Sequence, residues 1–121
     1  MKICVTSQGD NLDAQLDPRF GRCQHFIFVD TDTMEYEAIK NPNIDSTGGA
    51  GIQSGQLMAD RQVKAVVTGN IGPNAFQTLQ SAGVDIITGA SGSVREAVEQ
   101  YKKGTLKTTQ APTRGLHGMM K

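Results

Sequence analysis

Apolar residues recur along this chain in two rhythms, and the change from one to the other divides it. Ile3 to Thr6 and Phe26 to Asp30 are short runs rich in β-branched and aromatic residues, and Met34 to Ile39 alternates, with Tyr36 and Ala38 set against Glu35 and Glu37. Such patterns predict three strands. The link Asp30-Thr31-Asp32-Thr33 is short and turn-forming, which makes the second and third an antiparallel hairpin.

After Asn41-Pro42-Asn43 the rhythm lengthens to that of helices. A first helix is expected from about Ala50 to Gln62, burying Ile52, Leu57, Met58 and Ala59, with Gly55 inside it as a mark of close packing. Val66-Val67 is a fourth strand. A second helix has Pro73 just inside its start and Gly83 just past its end, with Ala75, Phe76, Leu79 and Ala82 facing inward. Ile86-Ile87 is a fifth strand. The last helix opens on Ser93-x-x-Glu96, the form of a capping box, carries Val94, Ala97, Val98 and Tyr101 on one face, and stops at Gly104. Thr105 to Lys121 has little periodicity, so the domain is expected to span 1–107 and a flexible tail 108–121. The order predicts an α/β fold of ribonuclease-H-like type: an antiparallel meander, then two right-handed parallel crossovers, giving a five-stranded mixed sheet with helices on its faces.

Val66-Val67-Thr68-Gly69-x-x-Gly72 and Ile86-Ile87-Thr88-Gly89-x-x-Gly92 say nearly the same thing twice, each a strand, a glycine turn and a helix start. Helix starts offer unpaired N–H groups and a partial positive charge, and in sheets of this kind ligands settle beyond the carboxyl ends of the parallel strands. Together with Gly48-Gly49-Ala50-Gly51 upstream, the turns suggest an anion cradle. Capping alone also explains such glycines.

Composition narrows the field. Twelve Lys and Arg balance twelve Asp and Glu among 121 residues, so no overall field recruits nucleic acid or an anionic membrane, and any attraction is local. Two cysteines, Cys4 and Cys23, make no disulfide framework, and the first residues are too short for a secretory apolar core, which favours a cytoplasmic protein. No apolar run approaches the roughly 20 residues of a spanning helix.

Reactive side chains are densest in Asp17-Pro18-Arg19-Phe20-Gly21-Arg22-Cys23-x-His25. Arg19 and Arg22 supply fixed charge and forked donors to an anion, Phe20 shields it, and Cys23 and His25 are soft and borderline metal ligands two residues apart. Plainer roles stand beside these. Asp17 and Arg19 can simply close a turn, Phe20 can belong to the core, His25 can open a strand, and Cys4 reads as a small buried apolar residue. His117, Met119 and Met120 have the look of a soft copper-binding tail or of a frayed end.

The Asp17–Cys23 loop, the Gly48-Gly49-Ala50-Gly51-Ile52 helix start, the Gly69-Asn70-x-Gly72-Pro73-Asn74-Ala75-Phe76 turn and the Gly89-Ala90-Ser91-Gly92-Ser93-Val94 turn together resemble the dinitrogenase iron-molybdenum cofactor-binding family, up to about residue 107. The likeness is to its small stand-alone members, and to the branch called orange protein in particular. It implies no catalysis, and carriage of an anionic molybdenum-containing metal–sulfur cluster, with or without copper. The implied binding residues are Arg19, Phe20, Gly21 and Arg22 in the loop, then Gly48, Gly49, Ala50 and Gly51. They continue with Gly69, Asn70, Gly72, Pro73 and Asn74, and with Gly89, Ser91 and Gly92; Cys23 and His25 are candidate metal contacts. The resemblance also implies cytosolic P-loop ATPases as partners. Nitrogenase-associated carriers usually have histidine directly before Phe-Gly, where this chain has Arg19, which favours recognition by charge over direct ligation.

Two rivals follow from the residues. A ribonuclease-H-type nuclease places carboxylates on its first strand, and Ile3-Cys4-Val5-Thr6-Ser7 has none, although Asp10, Asp13 and Asp17 follow it. A nucleotide- or phosphate-binding or adaptor module has only the glycine turns behind it, for neither dinucleotide nor P-loop fingerprint is present.

Overall fold

Pairing the five expected strands yields one continuous sheet. A computed structural model describes residues 1–44 and 49–109, so Gly48 and the His117, Met119 and Met120 group lie outside the described residues. The elements are β1 (Lys2–Ser7), β2 (His25–Asp30), β3 (Tyr36–Lys40), α1 (Ala50–Asp60), β4 (Ala65–Val67), α2 (Pro73–Ser81), β5 (Asp85–Ile87) and α3 (Val94–Lys103). Their order across the sheet is β3-β2-β1-β4-β5, with β2 antiparallel to both neighbours and β1, β4 and β5 parallel. This is the ribonuclease-H-like mixed sheet that the sequence predicts.

Register sorts the core into two layers. Phe28, Cys4, Val66 and Ile86 stand opposite one another across four strands, as do Ile27, Val5, Val67 and Ile87 one residue along. Successive side chains of a strand point to opposite faces, so these rows lie on opposite sides of the sheet. The first packs with Met58 of α1 and Ala75, Phe76 and Leu79 of α2, the second with Val94, Ala97 and Val98 of α3. Two helices therefore cover one face and the third the other, each buried Ile, Leu or Phe contributing about 1.5–3 kcal/mol.

Three local expectations need correction. Met34 adopts a left-handed backbone in the turn, where Asp30 Oδ1 accepts from the Asp32 amide at 2.8 Å, so β3 begins at Tyr36 rather than Met34. In α1 only Met58 of the four apolar positions is fully buried, Leu57 and Ala59 are partly so, and Ile52 is 44% exposed; the buried face is instead Ala50, Ser54, Gly55 and Met58. The reason is a close helix pair: a Cβ on Gly55 would stand 2.7 Å from Thr78 Cγ2, so small residues rather than large ones make the contact with α2. Ala82 is the exposed cap residue of α2, not part of its inner face. Beyond α3 the chain returns to the β5 edge, where the Thr109 amide donates to Ile86 O at 2.6 Å and Thr109 Oγ1 accepts from the Thr88 amide at 3.0 Å.

Candidate functional site

The three glycine-rich helix starts satisfy their backbone in different ways. At α3 the Ser93 Oγ accepts from the Glu96 amide at 3.1 Å while Glu96 Oε1 accepts from the Ser93 amide at 2.8 Å, completing a capping box. That hydrogen bonding also holds the Glu96 carboxyl below its usual range. No side chain caps α1, which starts from Gly49, or α2, which starts from Gly72. Uncapped starts keep inward-pointing N–H groups and the positive end of the helix dipole available.

These two uncapped starts open onto the same cavity. It has a volume of about 290 Å³ and is bounded by Gly49 to Ile52 on one side, Gly72 to Ala75 on another, and Phe20, Gly21 and Arg22 on the third. Charge on its wall comes from Arg22 alone among these lining residues. The Arg22 Nη1 donates to Ile44 O at 3.3 Å, which ties the loop to the segment leading into α1. Phe20 is buried and meets Phe26 with ring centroids 6.0 Å apart, so it serves both as core and as cavity wall. Gly21 has φ of 91°, and a Cβ there would come within 3.3 Å of the Gly51 backbone. Only glycine combines that backbone with that approach.

Two buried polar side chains shape the loop. The Asp17 carboxylate, fully buried, accepts from the Arg19 amide and Nε at 3.1 Å each, from Arg19 Nη2 at 3.2 Å and from the Gln24 amide at 3.2 Å. Asn41, which the sequence presents only as part of a break, donates from Nδ2 to Gly21 O at 3.0 Å and to Cys23 O at 2.9 Å. Asp17 takes the turn-closing role that its place two before Arg19 allows, whereas nothing in the sequence around Asn41 marks its part in the loop.

Several implied residues stand elsewhere. Arg19 does not line the cavity, because Asp17 holds its guanidinium in a two-pronged ion pair, the turn-closing role. Gly69 and Asn70 are stitched by backbone bonds to the loop, Asn70 N to Pro18 O at 2.7 Å and Phe20 N to Asn70 O at 3.2 Å, and a Cβ on Gly69 would lie 2.6 Å from Pro18 Cβ. The second Thr-Gly turn belongs to the α3 side: Gly92 O accepts from Leu16 N at 2.9 Å, Gly89 N donates to Gly69 O at 2.9 Å, and Ser91 is exposed. Gly89, Ser91 and Gly92 are thus absent from the cavity wall.

The proposed pair of metal contacts is split by the sheet. Cys23 is buried with Cys4, Phe20 and Phe26 on the α1–α2 side, whereas His25 shares the strand face of Ile27 and Val29, on the α3 side. Burial, reinforced by the Asp17 carboxylate, pushes the Cys23 thiol up to about 12, and Cys23 does not line the cavity. The Cys4 thiol is also raised by burial, in keeping with its role as a small core residue. Among the described residues no group of three or more His, Cys, Asp or Glu side chains could hold a metal ion, and no helix is long and apolar enough to cross a membrane. Sequence reading missed Ile52 and Ala75 as cavity residues, having assigned both to the helix interiors.

Comparison with known proteins bears on this arrangement. Residues 1–104 match the family described as dinitrogenase iron-molybdenum cofactor. The apo form of the orange protein from Desulfovibrio gigas superposes with a TM-score of 0.90 at 37% identity, over 93% of this chain and 96% of that one. A putative NifB protein from Thermotoga gives a TM-score of 0.81 at 31% identity, over 94% and 97% of the two chains. An uncharacterised protein of Methanocaldococcus jannaschii is 31% identical over 96 residues, 77% of this chain and 81% of its own.

Proposed function

From the premise that the chain belongs to the dinitrogenase iron-molybdenum cofactor family, we propose that it is a non-enzymatic carrier whose cargo is an anionic, molybdenum-containing metal–sulfur cluster, with or without copper. The observation that carries the reading is the convergence of two uncapped helix starts and Arg22 on one cavity, beside a third helix that caps itself. Amides in the first turns of α1 and α2 donate to sulfur or oxo atoms of the cargo, Arg22 balances its charge, and Phe20 and Ile52 limit its contact with water. Capture is by charge and hydrogen bonding. Neither Cys23 nor His25 acts as a ligand in this mechanism, because one is a buried thiol and the other lies across the sheet. The nucleotide-binding alternative gains nothing from the relatives found, and a P-loop ATPase that loads or unloads the cavity remains a family-based proposal.

Anaerobic reconstitution with tetrathiomolybdate and copper salts tests the reading. Visible colour and metal should stay with the protein through gel filtration, and Arg22→Ala should retain several-fold less at unchanged helical circular dichroism. Metal eluting wholly apart from the wild-type protein would remove the proposal.

A further inference from the structure

Asn41 follows β3, is only 4% exposed, and does not line the cavity. Its backbone N–H and its side-chain amide are nevertheless committed to the elements around it. Its amide N–H donates to Gln24 O at 3.0 Å, its Oδ1 accepts from the Asn43 amide at 2.8 Å, and the two Nδ2 hydrogens serve Gly21 O at 3.0 Å and Cys23 O at 2.9 Å. We propose that Asn41 is the positioning residue of the cavity: its side-chain amide holds the carbonyl oxygens of Gly21 and of Cys23 behind it, so that the Gly21 acceptor is not presented to an anionic cargo. The inference rests on the anionic-cargo reading and extends it to what the wall must exclude.

A buried carbonyl needs a donor, and one that loses it turns toward the nearest water. For Gly21, which lines the cavity, the cavity is the opening such a carbonyl would face. A carbonyl lone pair there would oppose the positive ends of α1 and α2 and repel the same charge that Arg22 attracts. Asparagine suits the post because one nitrogen supplies two donors while its oxygen takes a third bond; aspartate of the same shape supplies no donor when ionised. Asn41 and the Arg22 contact to Ile44 together join the loop to the chain that leads into α1.

The test compares wild type, Asn41→Ala, Asn41→Asp and, as a destabilised control remote from the cavity, Ser93→Ala. Titration with tetrathiomolybdate, at a temperature where circular dichroism shows every variant folded, should show affinity reduced on the order of tenfold or more in both Asn41 variants and unchanged in Ser93→Ala. Carbonyl carbon shifts of Gly21 and Cys23 should move in Asn41→Ala before any cargo is added. Should neither variant fold, the wild-type protein still decides: the Asn41 side-chain amide protons should exchange slowly and show scalar coupling to the Gly21 and Cys23 carbonyl carbons. Affinity equal to wild type in the Asn41 variants, or absence of those couplings, overturns the inference. A wild-type protein that shows the couplings but binds no tetrathiomolybdate overturns the cargo reading instead, and with it the function assigned to the carbonyl orientation.

Discussion

Two neighbouring arginines in one loop perform different tasks, and the difference is set by a single buried carboxylate. Asp17 accepts from Arg19 through both a side-chain fork and the backbone amide, whereas Arg22 reaches the cavity wall. Arg19→Ala should therefore act on stability, because it leaves Asp17 buried with only its amide partners. A loss on the order of 1–2 kcal/mol is expected, discounted for the half-exposed guanidinium, and urea unfolding of the variant measures it. Cys23 gives a second prediction at this scale. Its thiol gives up a proton near 9.0 when unperturbed but is pushed up to about 12 in the folded protein. Between those values the unfolded chain binds fewer protons, so stability is full below about pH 9 and falls as the pH rises through that window. Thermal unfolding from pH 8 to 11 should show the decline, and Cys23→Ala should make it shallower, the buried Cys4 thiol contributing the rest, while lowering stability at pH 8.

At the scale of elements, the cavity exists because α1 and α2 lie close enough for their starts to share it. Gly51 and Gly55 face Ala75 and Thr78, and Thr78 Oγ1 is occupied by Asn74 O at 3.0 Å, so its methyl cannot swing aside freely. Gly55→Ala should consequently destabilise by about 1–3 kcal/mol despite alanine's better helix propensity, the overpacking outweighing a gain of about 1 kcal/mol. Chemical denaturation checks the sign, which would be reversed if the helices were loosely packed. The last helix shows how far local sequence reaches: Ser93 and Glu96 lie three apart, and their capping box is complete without any tertiary partner. A helix that caps itself has less to offer a ligand, and the α3 start does not line the cavity.

The whole molecule couples the cavity to the fold, because its walls come from the two face-sharing helices and from the loop between β1 and β2. Cargo bound only by the folded form should raise stability by roughly 2.7 kcal/mol at a hundredfold excess over its dissociation constant. Melting curves with and without tetrathiomolybdate test this, and an unchanged midpoint at saturation would mean that the cargo does not select the folded state. By itself the sequence determined the strands, the helix ends at Gly83 and Gly104, the mixed sheet and the family, since period, punctuation and motif order are local properties of the chain. Only the tertiary structure decided which of two nearly identical Thr-Gly turns faces the cavity, that Arg19 belongs to Asp17, and that Cys23 and His25 stand on opposite sides of the sheet. The reason is geometric: two turns at one sheet edge look alike along the chain, but the helices that follow them pack on different faces, and a strand sends residues two apart to one side only when both lie within it.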